Sequence, residues 1–357
     1  MTLKPSINLN DLSRPIDLLV KLAKFTCFQL DYRTTVSDRK HNSSLNSLGI
    51  KSLLGTEFLE KSQIETIIKH SFLFKKLVDE GRPIPQTLAG KTVILLFFEA
   101  STRTRSSFEL AAKRLGATTL VLTKEGTSTE KGETLVDTAK TIQAMRPDAL
   151  VLRHSSAGSP FHLNQILNVP VINAGDGFHE HPTQALLDLM TLQEFKGRIE
   201  GLKVLIVGDI AHSRVARSNI YALKKMGAEV SVCGPPTLLP PKVEQMGVEV
   251  HYELDKAVKN KDVIMTLRIQ FERLNSGQSP SRGEYSKFYG ISESILKLAK
   301  PDVLVMHPGP VNRGVEISPE VADGSRSIIL NQVGNGVVVR MAVLHLLTGG
   351  ELIEAKV

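Results

Sequence analysis

A short apolar segment that ends abruptly in a polar, arginine-containing segment constrains the fold of this chain more than any other feature. Residues 93–98 have the sequence VILLFF, and residues 99–105 have the sequence EASTRTR. The apolar segment has the length of a buried strand in a parallel sheet, and the apolar spacing that follows predicts a helix. Ser101 or Thr102 suits the helix N-cap, and Gly116 suits the position just past its end. The sequence therefore predicts a strand, a short connection and a helix.

The first turn of this helix predicts a binding site for an anion. Backbone N–H groups at a helix N-terminus have no partner within the helix and carry partial positive charge. The segment adds the hydroxyls of Ser101, Thr102 and Thr104. It also adds the guanidinium groups of Arg103 and Arg105, and arginine can bind a phosphate through two parallel hydrogen bonds. An ordinary capped helix with solvated arginines is the alternative for this segment taken alone.

The composition is that of a globular protein and excludes several classes. The chain has 357 residues, which suggests about two domains, and 41% of them are hydrophobic. Only two cysteines are present, Cys27 and Cys233, so we expect no disulfide scaffold and a cytoplasmic location. The net charge of +7 is not gathered in a Lys/Arg-rich block, so we expect no nucleic-acid partner. We expect neither a secretory signal nor a membrane span, because no apolar run approaches about 20 residues.

Short apolar segments alternate with helical spacings along most of the chain, which is typical of βαβ units around a parallel sheet. We predict an α/β protein with two doubly wound parallel-sheet domains, joined by interdomain helices, and an active site in the cleft between them. Residues 49–182 form the first domain together with a closing helix over 331–350, which is apolar on one face. Residues 183–330 form the second domain, and residues 1–48 are an N-terminal extension of unknown role. A further helix is predicted over 57–80, with Thr56 as its cap.

Two polar segments follow strands of the predicted first domain. Arg153 comes directly after an apolar segment, and the ligand crevice of an open parallel sheet lies at the carboxyl ends of its strands. His181 and Gln184, in the sequence HPTQ, lie on one face of the first turn of a helix that begins at Pro182. A surface arginine and a chance HPxQ pattern are the alternatives. We expect no metal, because the cysteines and further histidines of a zinc site are missing.

Two further arginines follow strands of the predicted second domain. Residues 204–209 (VLIVGD) precede a helix that contains Arg214, but the second and third glycines of a dinucleotide fingerprint are missing. We therefore expect no nicotinamide cofactor. Arg268 follows another strand, and two separated guanidinium groups suit a small dicarboxylate.

A turn with the sequence HPGP, residues 307–310, closes the second sheet. Its two prolines lack N–H groups, so Gly309 and Pro310 leave bare carbonyl oxygens as acceptors for an amide NH2. We predict that the Gly309–Pro310 peptide bond is cis. The segment GTSTEKGET, residues 126–134, is a predicted loop that carries Lys131, for which a solvated lysine is the plain alternative.

Five segments in order resemble the signatures of the aspartate/ornithine carbamoyltransferase family: FFEASTRTRSSFE, TEKGET, HPTQ, MTLRIQFER and HPGPVNRG. The similarity runs from about Leu48 to Leu347. TEKGET, MTLRIQFER and HPGPVNRG are similar to the aspartate-specific branch, and the Ser-Met-Gly loop and His-Cys-Leu-Pro turn of the ornithine branch are missing. The resemblance implies carbamoyl transfer from carbamoyl phosphate to L-aspartate, which gives N-carbamoyl-L-aspartate and phosphate for pyrimidine biosynthesis. It implies no metal and no cofactor.

The resemblance also implies a role for each residue that matches a family segment. The implied catalytic residues are Arg103, Thr104, Arg153 and His181. Carbamoyl phosphate would be bound by Ser101, Thr102, Arg103, Thr104, Arg153, His181, Gln184, Gly309 and Pro310. Aspartate would be bound by Lys131, Arg153, Arg214, Arg268 and Gln270.

The family's lysine loop reaches a neighbouring subunit, so the resemblance implies a homotrimer with shared active sites. Lys131, with either Thr127 or Ser128, would enter the neighbour's site. The sequence does not decide whether a regulatory chain or a dihydroorotase partner binds. It also leaves two alternative functions. One is a carbamoyltransferase with another amino acid acceptor, and the other is a non-catalytic scaffold homologue.

Overall fold

The computed structural model of the chain describes residues 48–124, 133–269 and 280–349. Two parallel sheets within one compact unit form its framework. The elements of the first half are α1 (Lys61–Asp79), β1 (Thr92–Phe97), α2 (Thr102–Arg114), β2 (Thr118–Thr123), α3 (Leu135–Ala144), β3 (Ala149–His154), α4 (Ser159–Ile166), β4 (Val171–Asp176) and α5 (Pro182–Lys196).

The second half is likewise built of strands and helices. They are β5 (Lys203–Val207), α6 (Arg214–Lys225), β6 (Glu229–Cys233), β7 (Glu249–His251), α7 (Leu254–Ala257), β8 (Val263–Thr266), α8 (Arg282–Tyr289), α9 (Glu293–Leu296), β9 (Leu304–Met306), α10 (Pro319–Ala322) and α11 (Ile329–Leu347).

The strand order confirms the predicted fold class. The first sheet has the order β2-β1-β3-β4 and the second the order β7-β6-β5-β8-β9, with all pairs parallel. The direction of winding therefore reverses between β1 and β3 and again between β5 and β8. In open parallel sheets, ligands bind outside the carboxyl ends of the strands at these reversal points. The fold thus predicts where the site lies in each half.

The apolar sequence of β1 is continuous because both faces of the strand are buried. Val93 and Leu95 pack in one hydrophobic cluster, whereas Ile94 and Leu96 pack in another on the opposite face. All four side chains are at most 1% exposed. Helices therefore cover both faces of this sheet, as a parallel sheet requires.

The first helix differs from the prediction at its start. The helix begins at Lys61 rather than at 57, and its cap is Glu60, whose N–H donates to Gln63 Oε1 at 2.8 Å. Thr56 is not the cap, because its hydroxyl donates to the buried Glu180 carboxylate. The Thr56 side chain is thus bonded to Glu180, which is distant in sequence, and does not cap the helix.

The closing helix α11 is more deeply buried than the sequence predicts. It packs against α1, α2 and α5, and residues 338–347 are buried on all sides rather than on one face. By length and mean hydropathy (1.2) it could cross a membrane, yet 67% of its most apolar window is buried inside the protein. Its apolar character is therefore accounted for by its place in the core.

The Glu180 carboxylate joins the segment before α1 to helix α6 of the second half. Its side chain is fully buried and accepts four hydrogen bonds, from the Thr56 N–H and hydroxyl, the Glu57 N–H and the Ser218 hydroxyl. The three bonds to Oε2 are each 2.7 Å long. Removing this carboxylate would leave the Thr56 N–H and the Ser218 hydroxyl buried without this acceptor.

We expect Glu180→Gln to lower the free energy of unfolding by about 1–3 kcal/mol, because an amide NH2 would face N–H donors. Urea unfolding followed by circular dichroism measures the change. The matched control is Glu65→Gln at an exposed position of α1, which we expect to stay within about 0.5 kcal/mol of the wild type. Equal stability of both variants would contradict the role of Glu180 in joining the halves.

Candidate active site

A cavity of about 550 Å³ lies between the two sheets, at the carboxyl ends of β1, β3, β5 and β8. Residues of both halves line it. Among the predicted site residues, those that line the cavity are Ser101, Thr102, Arg103, Thr104, Arg153, His181, Gln184, Arg214, Arg268, Gly309 and Pro310. Four others, Thr127, Ser128, Lys131 and Gln270, lie outside the described residues.

The N-terminus of α2 presents the anion-binding segment to this cavity. Strand β1 ends at Phe97 and α2 begins at Thr102 with Ser101 as N-cap, so the first N–H groups of the helix point into the cleft. The pKa of Arg103 is lowered by burial and by the positive charge of Arg268. A side chain at Gly309 would meet the Arg103 guanidinium at 2.5 Å, so this glycine allows the close approach of the two halves.

Glu99 joins two arginines from the two halves of the protein, Arg153 in β3 and Arg214 at the start of α6. Its Oε1 accepts from Arg153 Nη2 at 2.7 Å, and its Oε2 accepts from Arg214 Nη1 at 3.0 Å. Arg153 Nη1 also donates to the Ala174 carbonyl at 3.0 Å. Glu99 is not among the predicted site residues, although its place directly before the anion-binding segment is a signal in the sequence. The carboxylate fixes both guanidinium groups at the wall of the cavity.

His181 lies at the start of α5 as a neutral imidazole. It is 4% exposed, and its backbone N–H donates to the Ser218 hydroxyl at 2.8 Å. Burial, together with the charges of Arg153, Arg340 and Arg214, lowers the pKa of His181 well below its usual value. A neutral imidazole can donate one hydrogen bond without adding a further positive charge to the cleft.

The turn at residues 307–310 has the backbone predicted for it. The Gly309–Pro310 peptide bond is cis, which confirms the prediction. His307 Nδ1 accepts the Gly309 N–H at 2.7 Å, and His307 Nε2 lies 3.1 Å from Glu316 Oε1. These bonds attach the turn to the second half, so its position in the cleft is set by buried contacts.

Arg340 is a lining residue that the sequence analysis missed. Its guanidinium lies 5.0 Å from the centre of the Phe108 ring and donates to the Gly336 carbonyl and the Thr183 hydroxyl. Burial and the charge of Arg153 lower the pKa of Arg340 to about 9. A charged residue within the apolar sequence VVVRMAV was the available signal, since burial of a cation is costly without a specific reason.

One group of side chains outside the cleft has the composition of a metal site. Among the residues that the structure describes, Glu57, His179 and Glu180 bring three possible ligand atoms within 4.8 Å of one another. Glu180 already accepts four hydrogen bonds from the protein, and His179 Nδ1 contacts Asp176 at 3.1 Å. Hydrogen bonding within the protein accounts for this group.

Two parallel sheets with an arginine-lined cleft at their winding reversals define a class: two-lobed α/β proteins that bind small anions between the lobes. Comparison with known proteins identifies the family within this class. The family model "Aspartate/ornithine carbamoyltransferase, carbamoyl-P binding domain" matches residues 51–194, and "Asp/Orn binding domain" of the same family matches residues 200–347. The chain belongs to the aspartate/ornithine carbamoyltransferase family.

Similar proteins come from bacteria, archaea and protozoa. The aspartate carbamoyltransferase catalytic subunit of Syntrophotalea carbinolica is 55% identical over 304 residues, which cover 85% of this chain and 97% of that protein. The Trypanosoma cruzi aspartate transcarbamoylase in complex with carbamoyl phosphate has a TM-score of 0.76, 31% identity, and coverage of 84% and 97%. The Pyrococcus furiosus ornithine carbamoyltransferase has a TM-score of 0.75, 34% identity, and coverage of 84% and 98%.

The two neighbouring histidines predict opposite effects of pH on stability. The pKa of His181 is lowered in the folded state, so the unfolded chain takes up this proton first and the contribution of His181 is lost as the pH falls below about 6.5. The pKa of His179 is raised, mainly by its hydrogen bond with Asp176. Its contribution is therefore present below about 6.5 and lost as the pH rises through the folded pKa.

We expect His181→Gln to reduce, by about 1 kcal/mol, the stability that the protein loses between about pH 7.5 and pH 5.5. His179→Gln should instead increase that loss. Urea unfolding of both variants and the wild type at the two pH values measures these differences. A shift of the same sign in both variants would contradict the assigned directions.

Proposed function

We propose that the protein transfers the carbamoyl group of carbamoyl phosphate to the amino group of L-aspartate, giving N-carbamoyl-L-aspartate and phosphate in pyrimidine biosynthesis. One observation carries the proposal: a single cleft combines a helix N-terminus bearing hydroxyls with arginines from both halves of the protein. The Syntrophotalea relative is named for this activity, and the Trypanosoma relative was crystallised with carbamoyl phosphate. The first lobe binds carbamoyl phosphate and the second binds L-aspartate.

The first lobe, residues 49–182 with the closing helix α11 (Ile329–Leu347), binds carbamoyl phosphate. Its phosphate lies at the N-terminus of α2, where Ser101, Thr102, Arg103 and Thr104 supply hydroxyl, guanidinium and backbone N–H donors. Arg103 also offsets the charge that grows on the departing phosphate. The partial positive charge of the helix end adds to that of the guanidinium.

The carbonyl oxygen of the carbamoyl group lies among Thr104, Arg153 and His181. These donors polarise the carbonyl bond and stabilise the tetrahedral oxyanion as the nucleophile adds. Gln184 and the main chain at Gly309 and Pro310 hold the carbamoyl NH2.

The second lobe, residues 183–330, binds L-aspartate through Arg214, Arg268 and Gln270, with Arg153 at its edge. The deprotonated amine attacks the carbamoyl carbon, the bond from that carbon to the phosphate oxygen breaks, and phosphate accepts the proton released by nitrogen. This chemistry requires neither a covalent nucleophile nor a metal, since orientation and fixed charges supply the rate acceleration.

The activity test is a steady-state assay of the purified protein with carbamoyl phosphate and L-aspartate. We expect Arg103→Ala to lower kcat by about 100-fold or more, as the loss of one transition-state donor does in other acyl transfers. Near-normal turnover of this variant would contradict the role of Arg103. L-ornithine and acetylornithine in place of aspartate test for another acceptor, and no turnover with any acceptor would favour the scaffold alternative.

We further propose that the protein is a cytoplasmic homotrimer whose active sites are shared, with Lys131 and Thr127 or Ser128 entering the neighbouring site. The proposal is supported by the similarity of the TEKGET segment to the family's lysine loop. A regulatory chain or a dihydroorotase partner is compatible with this assembly but is not required for it. The surfaces of a closed ring are heterologous, so each subunit would give its loop to one neighbour.

Mixing two inactive variants tests the shared site. We expect an equimolar mixture of Lys131→Ala and Arg103→Ala chains, dissociated and reassembled together, to recover activity at about one quarter of the sites. The regained rate in the aspartate assay is the measurement, and each variant reassembled alone is the control. A mixture as inactive as its components would show that each site is built from one chain.

A further inference from the structure

A fully buried carboxylate lies behind the cavity and is not among the described residues that line it. Asp188 is in α5, one helical turn beyond Gln184, and its side chain is 0% exposed. Three side-chain amides donate to it: Gln184 Nε2 at 3.0 Å and Gln332 Nε2 at 2.8 Å to Oδ1, and Asn219 Nδ2 at 2.8 Å to Oδ2. Its partners thus come from α5, α6 and α11.

An ionised carboxylate only accepts hydrogen bonds, so it fixes the direction of every amide that contacts it. The Gln184 amide must turn its NH2 toward Asp188, which leaves its carbonyl oxygen for the cavity that this residue lines. The Gln332 amide must likewise turn its NH2 toward Asp188. Its Oε1 is accordingly the end that accepts the backbone N–H of His307, at 3.0 Å.

The direction of hydrogen bonding set by Asp188 also determines the donors and acceptors in the turn at residues 307–310. The Gly309 N–H donates to His307 Nδ1, so the neutral ring carries its proton on Nε2, which faces Glu316 Oε1. Because residues 308 and 310 are prolines, the N–H groups of His307 and Gly309 are the only ones in this turn, and both are engaged inside the protein. The turn therefore has only carbonyl oxygens to offer to a ligand.

We propose that Asp188 is the positioning residue that makes this end of the cavity accept hydrogen bonds only, and so selects acyl phosphates whose acyl carbon carries NH2. It acts through Gln184 on one side and through Gln332 and the turn on the other. The inference rests on the proposed function and adds to it the origin of donor selectivity. A substrate with a methyl group in place of NH2 would leave these buried acceptors without donors, which is costly.

Asp188→Asn tests the role with almost no change in volume. The new amide can donate to the Gln184 oxygen, so the Gln184 amide can turn over and present NH2 to the cavity. The measurements are KM for carbamoyl phosphate, the inhibition constant of acetyl phosphate, and that of inorganic phosphate. We expect the preference for carbamoyl over acetyl phosphate to fall by about tenfold or more, with phosphate inhibition unchanged within about twofold.

Two further variants separate this role from a general loss of packing. Asn335→Ala breaks a buried hydrogen bond between α11 and α5, from Asn335 Nδ2 to Thr191 Oγ1 at 3.0 Å. This bond lies away from the cavity. We expect this variant to retain the wild-type preference. Gln332→Leu removes both the donor to Asp188 Oδ1 and the acceptor of the His307 N–H, and with them the path to the turn. It should reduce the preference even if Asp188→Asn does not fold.

The outcomes distinguish this inference from the proposed function. A wild-type protein that neither turns over carbamoyl phosphate nor prefers it to acetyl phosphate would overturn the proposed function. A selective wild type with a folded Asp188→Asn or Gln332→Leu variant of equal selectivity would overturn only the role of Asp188. Equal weakening of all three phosphates in Asp188→Asn would also overturn it, because that is the effect of disordered packing.

Discussion

The ion pairs of Glu99 with Arg153 and Arg214 are the contacts on which the cleft depends. Guanidinium groups from both sheets line one cavity, and two unit charges about 4 Å apart repel by about 4 kcal/mol near a protein surface. Glu99 is 14% exposed and binds one arginine from each half of the protein, so it offsets part of this repulsion and links the two halves. Burial first, and then the same crowding of positive charge, lower the pKa of His181 and that of Arg340.

Helix α5 connects the cavity to the buried interior of both lobes. Its first turns carry His181 and Gln184 at the cavity and Asp188 behind it, and residues 182–192 are buried throughout. A helix buried on all sides cannot tilt without disturbing both lobes, since it packs on α6 and on α11. Burial raises the pKa of Asp188 to about 6, and the hydrogen bonds from Gln332, Asn219 and Gln184 oppose that rise. The carboxylate therefore stays ionised near neutral pH.

The sequence predicted those parts of the fold and site that depend on local pattern. β1 lies within one residue of the predicted apolar segment 93–98 at each end, and the residues of the anion-binding segment lie at the start of α2 because strand, cap and helix are adjacent in sequence. Glu99, Asp188 and Arg340 were missed because their partners are distant: Glu99 is 115 residues from Arg214, and Asp188 is 144 from Gln332. Local spacing carries no information on such pairs. The structure brings most of the predicted site residues to one cavity, and the role of each of them, including Lys131 and Gln270, remains a prediction.

The fold alone does not determine the acceptor, because aspartate- and ornithine-specific relatives resemble this chain almost equally in structure. The charge of the cleft does favour one of them. Among the described residues that line the cavity, Glu99 is the only acidic one, and its oxygens are already engaged by Arg153 and Arg214. A second cationic group on the acceptor, as in ornithine, would lie among arginines with no carboxylate left to pair with. An acceptor with two carboxylates would instead be attracted by Arg214 and Arg268, which stand at different strand ends.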